Sequence, residues 1–340
     1  MKNIIFSVLF FGASYLLWLA ANSIDNSFTQ FSLLLPGDKI NPYRELNWIS
    51  LIPFLLSSVS LASSLICIAK SLANFEYLQV SVTQNSQILD GIWPTVSLGI
   101  VVIFFYSTDL FLNISAEDGL FENLQFIFYL SAGMILLFSG FRYLSINRPK
   151  GIILIISSLL ILFVAGEEIS WGQRILNIDT PELFENNAQN EMNIHNFKGG
   201  LFNTIQLFMA FTLWGLMSAI AFLSYRPVKG MLLYLPNKSS FIAYSAGIGL
   251  HPGYGHEVGL IFAFTCMAVC LYALLNKIRI YIAAYLLVIL NLTLYFCFFH
   301  DHRLGEFWWH IDECREFFYA AAVLLYVLHV KKVAESEASL

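Results

Sequence analysis

The sequence predicts an all-α polytopic membrane protein with about ten transmembrane helices, one of them broken. Three observations carry that expectation. Of the 340 residues, 58% are hydrophobic and only 12% are charged, against about 25% charged in an ordinary soluble domain. Apolar runs recur that are long enough to cross a bilayer, which takes roughly 20 helical residues. Lys and Arg collect in alternate loops, as the positive-inside rule requires. With a net charge of −5 and no basic patch, nucleic acid is not an expected partner.

The predicted spans are 4–22, 48–69, 92–113, 122–141, 151–167, 201–224, 239–256, 258–275, 280–299 and 314–330. The first follows Met1-Lys2-Asn3. Its apolar run exceeds the ~7–15 residues of a signal-peptide core and ends in no clean small-x-small site, so it reads as a helix that stays attached. The seventh is the weak one. Ser239–Leu250 is apolar but short, and His251-Pro252-Gly253-Tyr254-Gly255-His256 follows it. Irregular backbone at membrane depth is tolerated only against protein or a water-filled cavity. The chain divides into a two-helix N-terminal unit, 1–90, and an eight-helix core, 91–340, that carries the polar clusters.

Orientation follows from the bases. With the N-terminus inside, the inner segments hold Lys2, Lys70, Arg142, Arg148, Lys150, Arg226, Lys229, Lys238, Lys277, Arg279, Lys331 and Lys332, twelve of the 18 basic residues. The expected location is the inner, cytoplasmic membrane with both termini cytoplasmic. Acids do the opposite. Outer stretches 114–122, 167–200, 251–257 and 300–316 hold 15 of the 23 acids and six of the seven histidines. The five cysteines show no CxxC or Cys/His spacing, so neither a disulfide scaffold nor a structural zinc site is expected.

Four clusters follow from that asymmetry. Glu167-Glu168-Ile169-Ser170-Trp171-Gly172-Gln173-Arg174 closes span five. Acids at a helix C-terminus oppose the dipole, and such violations of a local rule concentrate at functional sites. Adjacent helical positions point about 100° apart, so one carboxylate faces the bundle interior while the other meets Arg174 or solvent. Trp171 reads either as a site residue or as an interfacial anchor. Asn187, Gln189, Glu191, Asn193 and His195 alternate and fall on one side of an extended segment, a polar ladder suited to a hydroxyl-rich or charged group. Glu117-Asp118-Gly119-Leu120-Phe121-Glu122 opens span four, where the dipole favours acids, and Glu122 and Gln125 lie deeper. Around span ten, Glu306, His310 and Glu313 share a helical face. With His251, His256, Glu257 and His302, that side offers donors for a divalent metal, although HExxH and HxxxH are both missing.

The run Gly166–Arg174, with Thr180-Pro181-Glu182 and the ladder Asn187–Asn196, resembles a signature found in a family of bacterial polytopic membrane proteins. The resemblance covers roughly spans three to ten and brings no activity with it. Asp118–Asn123 is also similar to the acidic calcium-binding opening of the ceramidase-like membrane hydrolases. The chain departs from those enzymes by lacking their late paired HxxxH, which speaks against a zinc amidase.

The expected function is therefore a membrane enzyme with an outward-facing polar site, acting by acid/base chemistry on a lipid or lipid-linked substrate. Glu167, Glu168, Arg174, His195 and Glu313 are the candidate catalytic residues. Trp171, Gln173, Asn187, Gln189, Glu191, Asn193 and Glu122 are the candidate substrate contacts. His251, His256, Glu257, His302 and His310 are the candidate metal ligands. Two alternatives stand beside it: an ion- or proton-coupled transporter, and a non-catalytic membrane assembly subunit.

Overall fold

In a computed structural model of the protein, the described residues are 87–185, 191–194, 236–250, 256–275, 279–300 and 309–338, with scattered positions in 5–67 and 210–217. Among them every regular element is a helix. The α-helices are α1 (Gln87–Tyr106), α2 (Thr108–Ile114), α3 (Leu120–Leu144), α4 (Arg148–Glu168), α5 (Gln173–Leu176), α6 (Lys238–Gly249), α7 (His256–Leu275), α8 (Arg279–His300) and α9 (Trp309–Ala338). Among the described residues, three stretches are long and apolar enough to cross a membrane: Leu120–Leu144, Arg148–Glu168 and Trp309–Ser336.

Helices α3 and α4 form a hairpin. Asn147 caps α4 by accepting from the Lys150 N–H at 3.2 Å, and Pro149 sits in the first turn, where its missing N–H costs nothing. The two helices meet through small residues. A Cβ on Gly133 would lie 2.6 Å from Leu162, and one on Gly140 would lie 2.7 Å from Ile155. Ser158 donates to the Gly133 carbonyl across the same seam at 2.8 Å. Small residues let helix backbones approach closely where the hydrophobic effect gives lipid-bathed helices little reason to associate.

Helix α9 runs parallel to α3. Gln125 donates to the Glu313 carbonyl at one end of the pair, and Tyr143 donates to the Ala334 carbonyl at the other. Eighteen residues of α3 separate those bonds, about 27 Å of helix at 1.5 Å per residue. The hydrocarbon core of a bilayer is about 30 Å thick. The carboxylates of the 113–125, 167–168 and 312–316 segments thus gather at one end. Arg142, Lys150 and Lys331 lie toward the other.

The core sits around α6, whose residues Ser239 to Gly249 are all buried. It packs between α8 and α9. Asn291 donates to the Ala246 carbonyl at 2.7 Å, and Tyr244 stacks on Tyr319 with ring centroids 4.6 Å apart. A Cβ on Gly247 would strike the Tyr319 ring at 2.5 Å. The expected seventh span is short here as well. The helix stops at Gly249 after 12 residues, about 18 Å, too short to cross a bilayer and enclosed by protein. A helix apolar on every side is the mark of burial, whether in protein or in lipid. The His251–Gly255 break lies outside the described residues. The predicted 92–113 span is likewise interrupted. Ser107 adopts an extended conformation and caps α2, its Oγ accepting from the Leu110 N–H, which separates α1 from α2.

Near the N-terminus, Ser14 and Ser57 exchange hydrogen bonds, each hydroxyl donating to the other's carbonyl at 2.8–2.9 Å.

Candidate functional site

Beyond Glu168 the backbone turns through Ser170, Trp171 and Gly172 with φ of 47°, 55° and 79°. Left-handed backbone costs a non-glycine residue roughly 1–2 kcal/mol, so two in succession need compensation. Side chains supply it. Glu167 accepts from the Trp171 indole N–H at 2.7 Å and from the Ile194 backbone N–H at 2.5 Å. Ser170 donates to Glu191 at 2.6 Å. Asn193 donates to both Ser170 Oγ and Glu191 Oε2, at 3.1 and 2.8 Å. Gln173 accepts from the Met192 N–H at 2.6 Å and donates to Thr180 at 2.9 Å. Gly166 makes room for the Trp171 ring, which a Cβ would meet at 2.8 Å. Trp171 also packs edge-on against Phe163.

Most of the Glu167–Arg174 motif therefore works as a latch that ties segment 191–194 to the end of α4. The ladder alternates as a period of two requires: Glu191 and Asn193 are buried, while Ile194 is 46% exposed. Asn187, Gln189 and His195, and the side chain of Arg174, lie outside the described residues.

Glu168 has a different environment. It makes no hydrogen bond or ion pair among the described residues. The carboxylates of Glu316, Glu313, Glu122 and Glu167 lie within electrostatic reach of it. Glu122 on α3 is buried and accepts from the Asp118 backbone N–H. Asp118 holds a left-handed φ of 58°. Glu313 on α9 accepts from Gln125 Nε2 at 3.0 Å. Gln125 is fully buried, and its Oε1 has no partner among the described residues. Glu316 pairs with Arg315 at 2.8 Å, and Arg315 also binds Asp312. One turn deeper, Tyr129 feels the charges of Glu168 and Glu316. The buried Tyr319 hydroxyl also has no partner among the described residues. Three helices thus bring Glu122, Glu168, Glu313 and Glu316 together, with an orphaned amide oxygen and an orphaned hydroxyl nearby. Orphaned buried polar atoms are rare, and each calls for an explanation such as a ligand.

Of the candidate metal ligands, only His310 has a described side chain. His310 is buried, and its Nδ1 lies 2.9 Å from the Ser115 carbonyl and 3.0 Å from Ser115 Oγ. Because Ser115 Oγ itself donates to Phe111, the His310 Nδ1–H donates to the carbonyl and ties the end of α2 to the start of α9. His310 and Glu313 share a helix but turn to different neighbours, Ser115 and Gln125. His251, His302 and Glu306 lie outside the described residues, as do the side chains of His256 and Glu257. Among the described residues, no three His, Cys, Asp or Glu are grouped to hold a metal ion.

Gln125, Tyr129, Arg315, Glu316 and Tyr319 were not among the predicted site residues. A signal existed for two of them: Glu122, Gln125 and Tyr129 fall at i, i+3 and i+7, one helical face. No family model, curated protein or solved structure matches the chain.

Proposed function

We propose that this is a multi-pass inner-membrane enzyme, with both termini cytoplasmic and some ten spans, that acts by acid/base chemistry on a lipid or lipid-linked substrate. One observation carries the reading. Glu168 makes no hydrogen bond among the described residues and faces carboxylates contributed by α3, α4 and α9, at one end of helices long and apolar enough to span a bilayer. Like charges that close together in a low-dielectric site must be balanced by protons or cations. A proton shared within such a cluster can be delivered to a leaving group or taken from a nucleophile. Glu168 is the acid or base. Glu313, oriented by Gln125, and Glu122, held by the Asp118 N–H, are its partners. The free oxygen of Gln125 and the Tyr319 hydroxyl are placed to bind polar substrate atoms. The carboxylates lie at the end of the α3–α9 pair, not halfway along it. That position favours a surface site reached from the headgroup layer over a transport path through the bilayer.

Membranes from cells producing wild-type protein, Glu168→Gln or Glu313→Gln at equal abundance test this by lipid mass spectrometry. A lipid species should change with the wild type and revert with both variants. Identical lipid profiles in all three would overturn the enzyme reading.

A further inference from the structure

The opposite end of the α3–α9 pair carries a second polar feature, of the other sign. Between the last turns of the two helices lies a cavity of about 200 Å³, with Arg142 and Lys331 among its lining. The Arg142 guanidinium makes no hydrogen bond or ion pair among the described residues. Lys331 reaches Glu335 only loosely, at 3.8 Å, with both side chains about half exposed, a pair that contributes little. Tyr143 also lines the cavity, but its hydroxyl is committed to Ala334. Two cations and one acid leave the pocket with a net positive charge. The remaining wall is mostly apolar: Ile135, Phe138 and Ala334 line it, with Ser139, whose hydroxyl donates to the Ile135 carbonyl of its own helix. Phe138 is 65% exposed, and it continues a row of exposed apolar side chains along α3 that includes Leu130, Met134 and Phe141.

Those features describe a ligand with a negative head and an apolar body. The cavity is smaller than the roughly 300 Å³ at which pockets begin to enclose drug-sized molecules, so it suits a headgroup with its chains left outside. Arg142 stands two residues before the end of α3, at the level where a spanning helix meets the headgroup layer. Basic pockets between spanning helices are places where anionic headgroups bind. We propose that this cavity is a binding site for an anionic phospholipid, whose phosphate lies between Arg142 and Lys331 and whose acyl chain runs along Phe138. The site is separate from the carboxylate cluster and holds whether or not that cluster is catalytic.

The full-length protein, purified in detergent micelles doped with phosphatidylglycerol or phosphatidylcholine, tests it by native mass spectrometry. Wild-type protein should retain phosphatidylglycerol and not phosphatidylcholine. The double variant Arg142→Gln/Lys331→Gln should retain roughly tenfold less. Arg142→Lys preserves the charge and should still retain the lipid. Phe138→Ala should weaken retention while leaving both cations in place. Equal retention by wild type and the double variant would overturn the proposal. So would loss of the lipid in Arg142→Lys, since packing and not charge would then hold it. Displacement of the lipid by excess inorganic phosphate, with no effect of Phe138→Ala, would make this a site for a free anion and overturn it as well.

Discussion

Glu167 and Glu168 are neighbours in the chain and sit at the same helix end, yet they do different work. Glu167 accepts two hydrogen bonds, from Trp171 and Ile194, and is buried within the latch. Glu168 accepts none among the described residues and faces carboxylates from two other helices. The 100° step between adjacent helical positions separates the roles. The contrast teaches how to divide a polar motif into structure and site. A buried polar atom with good partners is explained by folding, because leaving it unpaired would cost more than the bond contributes. Polar groups that folding leaves unpaired are the ones available to a ligand. By that criterion the latch is scaffold, and Glu168, Gln125 and Tyr319 belong to the proposed site.

Breaking the latch should have the largest effect on stability. Glu167→Ala removes two charge-assisted acceptors and strands two donors, and should destabilise the protein by about 3 kcal/mol or more. Glu168→Gln, one residue on, strands no donor and takes a like charge out of the cluster, so it should leave stability unchanged or raise it. The midpoints of denaturation in mixed micelles report both. Equal midpoints for the two variants would erase the division between them.

Next in size is a change that disturbs the cluster while sparing the latch. Gly133→Leu puts a side chain where Leu162 already packs, and overpacking of that kind costs roughly 1–3 kcal/mol. It should push α4 away from α3 and so move Glu168 relative to Glu122. Protease resistance of segment 177–190 should stay as in wild type, because every latch contact lies beyond the seam. Increased cleavage there would show that latch and hairpin form one cooperative unit.

Ser170→Ala is a smaller probe of the latch. It removes the hydroxyl that donates to Glu191 and accepts from Asn193, while Asn193 still donates to the carboxylate. The expected loss is about 1–2 kcal/mol, read from the same denaturation midpoints. A loss as large as that of Glu167→Ala would move the centre of the latch from Glu167 to Glu191.

The helical class and the positions of the three long apolar helices were legible. The runs at 122–141, 151–167 and 314–330 lie inside helices spanning 120–144, 148–168 and 309–338. Apolar length is a direct signal and survives without tertiary information. The shortness of the seventh span was legible too, since α6 stops at Gly249, but composition does not distinguish a helix wrapped in protein from one wrapped in lipid. The latch was illegible for a local reason. Its geometry depends on left-handed backbone at Ser170 and Trp171, residue types that give no sequence warning of it. The motif was recognised as unusual, but the split between Glu167 and Glu168 appeared only once the partners of each were known. His310 carried a similar ambiguity: a histidine among acids reads as a metal donor, and its bond to the Ser115 carbonyl is invisible without the fold.

The smallest expected effect is opposite in sign to the losses in the latch. The Tyr319 hydroxyl is buried without a partner among the described residues, while its ring stacks on Tyr244 and fills the space beside Gly247. Tyr319→Phe keeps the ring and removes the orphan, so it should leave stability unchanged or raise it by about 1 kcal/mol. A latch residue has no such freedom, since every polar atom lost there strands another. If the hydroxyl serves a substrate, the same variant that gains stability should lose the lipid change produced by wild type. If stability falls instead, the hydroxyl has a structural partner, and Tyr319 belongs with Glu167 and not with Glu168. Denaturation midpoint and lipid profile, measured on one variant, therefore assign that residue to one side of the division or the other.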